Sequence, residues 1–303
     1  MKKYLITGGC GFIGQHLAKR LLKTKCIIDL IDLPKKKNLI KSSRIKLFKA
    51  DISNYKIFKK LKSKYDIAFH LAAQTSSRLS EIKTKQDIDS NVIGSYNFCE
   101  WAKRRKPKRV VFSSSMSVYG KVANNVQEEK ICNPQSIYGL SKFYSEKIFQ
   151  RLKDNKIKVT IFRLFNVYGP GQDLKNLNQG MFSIYLSQAL KKNSISVTGS
   201  LNRYRDFVYI DDTVSALLIN PRNKRNWIMN LGTGRKILVK DVIKLIKKEL
   251  GLKNIKIKIK KSYAEDTWGT YANISKLKSE GWTPKFNLAK GAKLTIYEET
   301  KKK

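Results

Sequence analysis

The tightest constraint on what this chain can fold into lies in its first fourteen residues. A short apolar run, Lys3–Thr7, leads into Gly8-Gly9-Cys10-Gly11-Phe12-Ile13-Gly14, with Gly8, Gly11 and Gly14 spaced by three. In a strand–turn–helix setting the first glycine permits a tight turn and the second lets the backbone approach a pyrophosphate. The third lets the helix pack close to the sheet. The helix then offers its unpaired N-terminal N–H groups to phosphate. Phe12–Leu22 supplies that helix, with apolar residues at Phe12, Ile13, Leu17 and Leu21. The turn predicts a bound dinucleotide, and a glycine turn with no ligand is the competing reading.

The same alternation continues downstream. Ile27–Asp32, Lys46–Ala50, Ile67–Leu71, Arg109–Ser113 and Val159–Phe165 read as strands, with helical stretches at Tyr55–Lys62, Ile88–Lys103 and Ser136–Lys153. Strands alternating with helices predict an α/β fold, a Rossmann-like doubly wound parallel sheet over residues 1–166. After Asn166 the pattern breaks into a turn at Tyr168–Gly171 and a polar loop at Leu174–Gly180. A helix at Met181–Lys192, strands at Ile195–Thr198 and Ile255–Ile259, and a helix at Leu238–Leu250 follow. This predicts a smaller, irregular α+β substrate-binding region over 167–204 and 237–303, with residues 205–236 rejoining the first domain.

Composition removes several function classes. Cys10, Cys26, Cys99 and Cys132 lack CxxC spacing, and His16 and His70 are the only histidines. A metal site, a disulfide framework and a histidine-based triad are therefore not expected, and the cysteine usage suits a reducing cytoplasm. No apolar run approaches the roughly 20 residues of a membrane span, and the N-terminus enters the glycine turn without a signal-peptide pattern. The net charge is +40, from 63 basic and 23 acidic residues. Nucleic acid is one reading of that excess, and lysine-rich solvated faces are the other. The clusters Lys35–Lys37, Lys103–Lys108 and Lys301–Lys303 are scattered and not interleaved with aromatics, so neither nucleic acid nor a membrane is an expected partner. A general positive field would speed the arrival of an anionic substrate.

The residues able to do chemistry follow the strand ends. Tyr138 and Lys142 are four apart and share a helix face, which predicts a lysine that lowers the phenol from its usual value near ~10. Ser113, Ser114 and Ser115 close a strand with hydroxyls, at the end where parallel sheets bind ligands. No His/Asp partner is available to make Ser115 an acyl nucleophile. Asp32 ends the second strand, where a carboxylate accepts ribose hydroxyls and repels a 2′-phosphate, favouring NAD over NADP. Lys35–Lys37 oppose that preference. Asp51, followed by Ile52, is placed either for an adenine amino group or as a simple cap. Leu71, Ala72 and Ala73 suit either core packing or cofactor passage, and His70 reads as a packed strand residue.

Taken in order, these segments resemble the extended short-chain dehydrogenase/reductases, specifically the NAD-dependent nucleotide-sugar epimerase/dehydratase family. The resemblance rests on Thr7–Gly14, Asp32, Asp51-Ile52, His70–Ala73, Ser113–Gly120 and Tyr138–Lys142, then on Arg163–Gly171, Arg205–Asp212, Asn230–Gly234 and Gly281–Pro284. It implies that Tyr138 is the general base and acid, and that Lys142 lowers its pKa and holds the nicotinamide ribose. Ser115 would polarise the reacting sugar oxygen, with Ser117 near the same sugar. Gly8, Gly11, Phe12, Ile13, Gly14, Asp32, Asp51, Ile52, Leu71, Ala72, Ala73, Asn91, Ser113 and Phe165 would line a tightly held NAD. Asn166, Arg205 and Asp266 would meet the substrate's nucleotide diphosphate end, and a homodimer built on four helices is implied. The chain departs from the family's dehydratases and decarboxylases after the active-site hydroxyl, where Met116 and Ser117 replace their acidic residues. The expected activity is therefore C4 epimerisation of a UDP-linked hexose, with a role in polysaccharide biosynthesis. A nucleotide-sugar dehydrogenase or ketoreductase is the alternative enzyme, and a non-catalytic RNA-binding or structural relative is the alternative of another class.

Overall fold

A computed structural model describes residues 1–33, 40–122, 124–222, 227–262 and 267–301. The expectations placed on Lys35–Lys37 and Asp266 lie outside the described residues. The strands β1 (Lys2–Thr7), β2 (Cys26–Asp32), β3 (Ile45–Lys49), β4 (Ile67–His70) and β5 (Arg109–Ser115) join Lys158–Leu164 and Ile228–Leu231 in one seven-stranded sheet. From one edge the order is Ile228–Leu231, Lys158–Leu164, β5, β4, β1, β2, β3. β1 pairs in parallel with both β2 and β4, matching Tyr4 to Ile28 and to Ile67. The β2–β3 and β4–β5 pairs are parallel as well. The chain moves outward from β1 through β2 to β3, then returns to the other side of β1 as β4. That reversal is the topological switch point where an open α/β sheet binds ligands. The expected Rossmann-like α/β fold is present.

The connecting helices are α1 (Phe12–Leu21), α2 (Lys56–Lys59), α3 (Ser77–Ile82), α4 (Thr84–Asp87), α5 (Gly94–Arg105) and α6 (Ile137–Gln150). The helix expected over 88–103 is broken: a π-turn spans Ile88–Ile93 before α5 begins. The stretch expected at 55–62 shortens to the single turn of α2. Central strands such as β5 are buried at every residue, as strands covered on both faces should be. Between sheet and helices the core is aromatic. Phe112 stacks on Phe149 at 4.2 Å, and Phe98 packs edge-on to Phe58. Each such side chain contributes roughly 1.5–3 kcal/mol on burial.

Contacts divide the chain into two units: Met1–Val118, Pro134–Arg163 and Leu217–Met229 form the first, and Tyr119–Asn133, Leu164–Ala216 and Asn230–Lys303 the second. The division differs from the one anticipated: Tyr119–Asn133 joins the second unit, and of residues 205–236 only Leu217–Met229 falls in the first. Residues 204–209 instead pair inside the second unit, Phe207–Tyr209 with Asn166–Tyr168 and Tyr204–Arg205 with Ile237–Leu238. Buried carboxylates tie these short strands together. Asp206 accepts from Thr233 N, Thr233 Oγ1, Gly234 N and Ala272 N, and Asp212 accepts from Lys285 N and Phe286 N.

Candidate active site

The glycine turn is as close-packed as its sequence requires. Gly8 has φ +70°, and a Cβ there would meet Ala72 N at 2.7 Å. A Cβ on Gly14 would meet Gly8 O at 2.2 Å, so α1 can approach the turn only without a side chain. Gly11 N donates to Gly8 O at 3.0 Å, and Gly11 opens α1 with no side chain capping the helix. The first-turn N–H groups, beginning at Phe12 and Ile13, are thus left for an anion. Asp32 accepts from Cys10 N and Leu33 N, each at 2.8 Å, which fixes its carboxylate beside the turn at the end of β2. A cleft of about 490 Å³ follows, lined by Leu33, Asp51, Ser53, Thr84 and Ser90 among others. Asp51 caps a turn by accepting from Ser53 N at 2.8 Å, and Ile52 is buried against Gly94. Leu71, Ala72 and Ala73 follow β4 half-buried, with Leu71 N donating to Thr7 O. The uncapped helix end, the side-chain-free turn and the acidic strand end fit a dinucleotide.

The inner face of α6 is polar where most helices are apolar. Tyr138, Ser141, Lys142, Ser145, Glu146 and Phe149 are its buried stripe. Ser136 caps the helix through Gly139 N at 3.1 Å. Two side chains from α3 complete the job: Ser80 Oγ accepts from Tyr138 N at 3.0 Å and Glu81 Oε1 from Ile137 N at 2.8 Å. Tyr138 therefore sits on a turn whose orphan donors are satisfied. Ser115 is near enough to the phenol to act on its charge, while the Ser115 hydroxyl donates to Ser117 Oγ at 3.2 Å and accepts from Ser117 N. Ser113 is not turned to this site; its hydroxyl donates to His70 O.

The electrostatics correct one expectation. Burial pushes Tyr138 up to about 12, with Ser115 pulling it down and Asp87 pushing it up. The lowering anticipated from Lys142 is not what prevails, because desolvation of the phenolate outweighs the favourable contacts. Lys142 is pulled down to about 7, again by burial, against the attraction of Asp87 and Glu146. Its ammonium lies 4.4 Å above the Phe112 ring. His70 is a packed residue: its Nδ1 lies 2.9 Å from Thr7 Oγ1, and burial together with Lys142 holds it well below its ordinary value.

A web of buried amides and charges stands behind the pair. Asn91 Oδ1 accepts from Gln74 N at 2.9 Å, and its Nδ2 lies 3.0 Å from Ser141 Oγ and 3.1 Å from Asp87 Oδ2. Its carboxamide is therefore spent on joining the loop after β4 to α6. Glu146 takes Arg163 through both oxygens, at 2.9 and 2.8 Å, and the Ser114 hydroxyl at 2.5 Å. In the second unit, Phe165 is buried and Asn166 donates through N and Nδ2 to Asp206 O. Arg205 points its guanidinium at the carbonyls of Tyr204, Thr267 and Trp268, at 2.7–3.2 Å. Sequence reasoning missed Asp87, Glu146 and Ser80. The i,i+4 spacing of Asp87 to Asn91, and of Lys142 to Glu146, was the available signal.

Comparison with known proteins agrees with this geometry. Residues 4–232 match the model of the NAD dependent epimerase/dehydratase family. A Methanocaldococcus jannaschii protein provisionally named UDP-glucose 4-epimerase is 35% identical over 96% of each chain. An Arabidopsis thaliana relative named UDP-glucuronic acid decarboxylase 6 is 28% identical over 98% of this chain and 88% of its own length. The crystal structure of a Thermotoga maritima UDP-glucose 4-epimerase with UDP-glucose superimposes with a TM-score of 0.93, at 29% identity and 99% coverage of both chains. With an open dinucleotide turn beside the sheet's switch point and a family match over residues 4–232, this chain belongs to the NAD-dependent epimerase/dehydratase family of nucleotide-sugar enzymes.

Proposed function

We propose that this protein inverts C4 of a nucleotide-linked hexose, a UDP-sugar, through a transient 4-keto sugar. The observation that carries the reading is the buried Tyr138 phenol, whose pKa Ser115 pulls down, with Lys142 buried one helical turn further along the same face. Bound NAD supplies the oxidising and reducing partner for the C4 carbon. Gly8, Gly11 and Gly14 would let its pyrophosphate reach the start of α1, with Phe12, Ile13 and Asp32 beside the ribose. The cleft at Asp51 would take the adenosine end. Tyr138 takes the proton of the C4 hydroxyl and later returns it, while Ser115 holds that oxygen in place. A phenol that burial drives towards 12 needs a cation to work at neutral pH, and Lys142 is the one on its own helix face. Asn166 and Arg205 would take the substrate's diphosphate end, Arg205 through the geometry its guanidinium offers to phosphate.

Met116 and Ser117 favour epimerisation over dehydration, since neither is an acid that can protonate a departing hydroxyl, and they supply no carboxylate of the kind the family's decarboxylases use. A nucleotide-sugar dehydrogenase is the second reading, and it would accumulate NADH in proportion to product. Leu140 and Tyr144 of α6, with Ile93 and Tyr96 on the neighbouring helical run, are exposed apolar residues that suit a homodimer. Light scattering at micromolar concentration would then give twice the chain mass, and a monomer would count against it. The central test is Tyr138→Phe, which should lower epimerase turnover by about 10²–10⁴-fold while NAD stays bound. A near-normal rate in that variant, measured with UDP-glucose and UDP-glucuronate, would remove the assignment.

A further inference from the structure

The buried charges around α6 do not pair evenly. Glu146 is already neutralised, with Arg163 on both of its oxygens. His70, facing Lys142 from β4, is held uncharged by burial, and β5 offers Lys142 only the Phe112 ring. Among the described residues that these groups involve, the cation Lys142 and the anion Asp87 have no ion-pair partner in hydrogen-bond contact. Asp87 is fully buried at the end of α4. The groups that hydrogen-bond it among the described residues are neutral, Gln74 Nε2 at 2.9 Å and Asn91 Nδ2 at 3.1 Å, and Asn91 Nδ2 also reaches Ser141 Oγ, whose hydroxyl donates to Tyr138 O. Its Oδ1 has no hydrogen-bond partner among the described residues. Amides can orient a carboxylate but cannot cancel its charge, and an unpaired charge in such a place is costly.

We propose that Asp87 is the buried counter-charge shared by Lys142 and Tyr138, a positioning residue that sets the pH range over which the pair holds a cation and a phenolate. The inference rests on the Tyr138/Lys142 reading of the site. Its sign is the same for both partners. The Asp87 carboxylate favours the ammonium of Lys142, so that proton leaves at higher pH. The same carboxylate disfavours the phenolate of Tyr138, so that proton also leaves at higher pH. Asn91 and Ser141 hold Asp87 to α6, coupling it to both residues without contacting either reacting atom.

Asp87→Asn keeps the shape and removes the charge. In NAD-loaded enzyme, both limbs of the kcat/KM profile should move to lower pH together. The ratio of activity at pH 6 to that at pH 9 should rise by roughly tenfold or more, the value of one unit of differential interaction. Asp87→Glu should return the profile towards the original. A lower plateau with both limbs unmoved would overturn the proposal and leave Asp87 a packing residue. A direct reading comes from NMR of lysine Nζ in the full chain, with the Lys142 signal identified by its loss in Lys142→Met. That group should lose its proton at lower pH in Asp87→Asn, and an unchanged titration would overturn the idea. If Asp87→Asn does not fold, the coupling is visible from the other side: in Lys142→Met, the Asp87 carboxyl should take up its proton at higher pH than in the native chain. No change there would be equally fatal. An active Tyr138→Phe would defeat the reading of the site itself, whereas a dead Tyr138→Phe beside an unmoved Asp87→Asn profile would defeat only this inference.

Discussion

Asp206 in the second unit and Asp87 in the first are both fully buried, and they are solvated in opposite ways. Asp206 collects four donors, three of them backbone N–H groups, two from the Thr233–Gly234 loop and one from the short strand Tyr271–Ala272. It replaces water with a dense shell of fixed dipoles and needs no cation. Asp87 has carboxamides on one side and a bare oxygen on the other. The first arrangement builds a joint between a loop and a short strand, while the second leaves a field that neighbouring groups must feel. Burial lifts both carboxyls above their ordinary range, so depth in the protein does not separate them. Their partners do.

The comparison can be broken by substitution. Asp206→Ala strands three backbone donors in the interior, each worth about 1–3 kcal/mol, so denaturant melts should show a loss of about 4 kcal/mol or more. A loss under about 1 kcal/mol would mean that these segments are held by something else. Glu146→Ala leaves Arg163 buried without its carboxylate and should cost about 3–5 kcal/mol. Asp87→Asn, by contrast, should be close to neutral in the same melts, because it removes an expensive charge and keeps the amide contacts. Ser80→Ala takes one capping acceptor from the Tyr138 turn and should cost about 1 kcal/mol. Turnover should suffer more than substrate affinity if that turn aims the phenol. A further effect, read in the pH dependence of stability, concerns Lys142 itself. Its proton leaves near pH 7 in the folded protein but near 10.5 in the unfolded chain. Across that window the unfolded state binds the extra proton, so this group makes stability rise with pH. Lys142→Met should lack that part of the slope, and identical slopes would mean the lysine is less buried than described.

Much of the first unit was readable before any coordinates. The turn at Gly8–Gly14 is local, and Gly8 and Gly14 are demanded by contacts of 2.7 and 2.2 Å that any Cβ would violate. Tyr138 and Lys142 were visible because helical spacing alone puts them on one face. What they touch was not visible. Asn91 meets Ser141 across 50 residues of chain, and Arg163 reaches Glu146 from a strand rather than from a helix turn. The sign of the Tyr138 shift was misjudged for the same reason: spacing reports the neighbouring cation, and burial of the phenol is a property of the packed molecule. In the second unit, strands such as Asn125–Val126 and Tyr271–Ala272 are two residues long and carry no periodicity to detect. Their pairing depends on Asp206 and its donors, which no short window contains.

The π-turn at Ile88–Ile93 has a consequence for how this chain can vary. It carries Asn91, which reaches Ser141 on α6, and separates Asp87 from Gly94, where a Cβ would strike Ile52 at 2.5 Å. Deleting one residue there would restore an ordinary helix and swing everything upstream by about 100° about its axis. The amide web and the glycine notch could then no longer both find their seats. Indels in this stretch should be purged more severely than almost any exchange of side chain, so the length of the segment is itself a heritable part of what holds α6 in place.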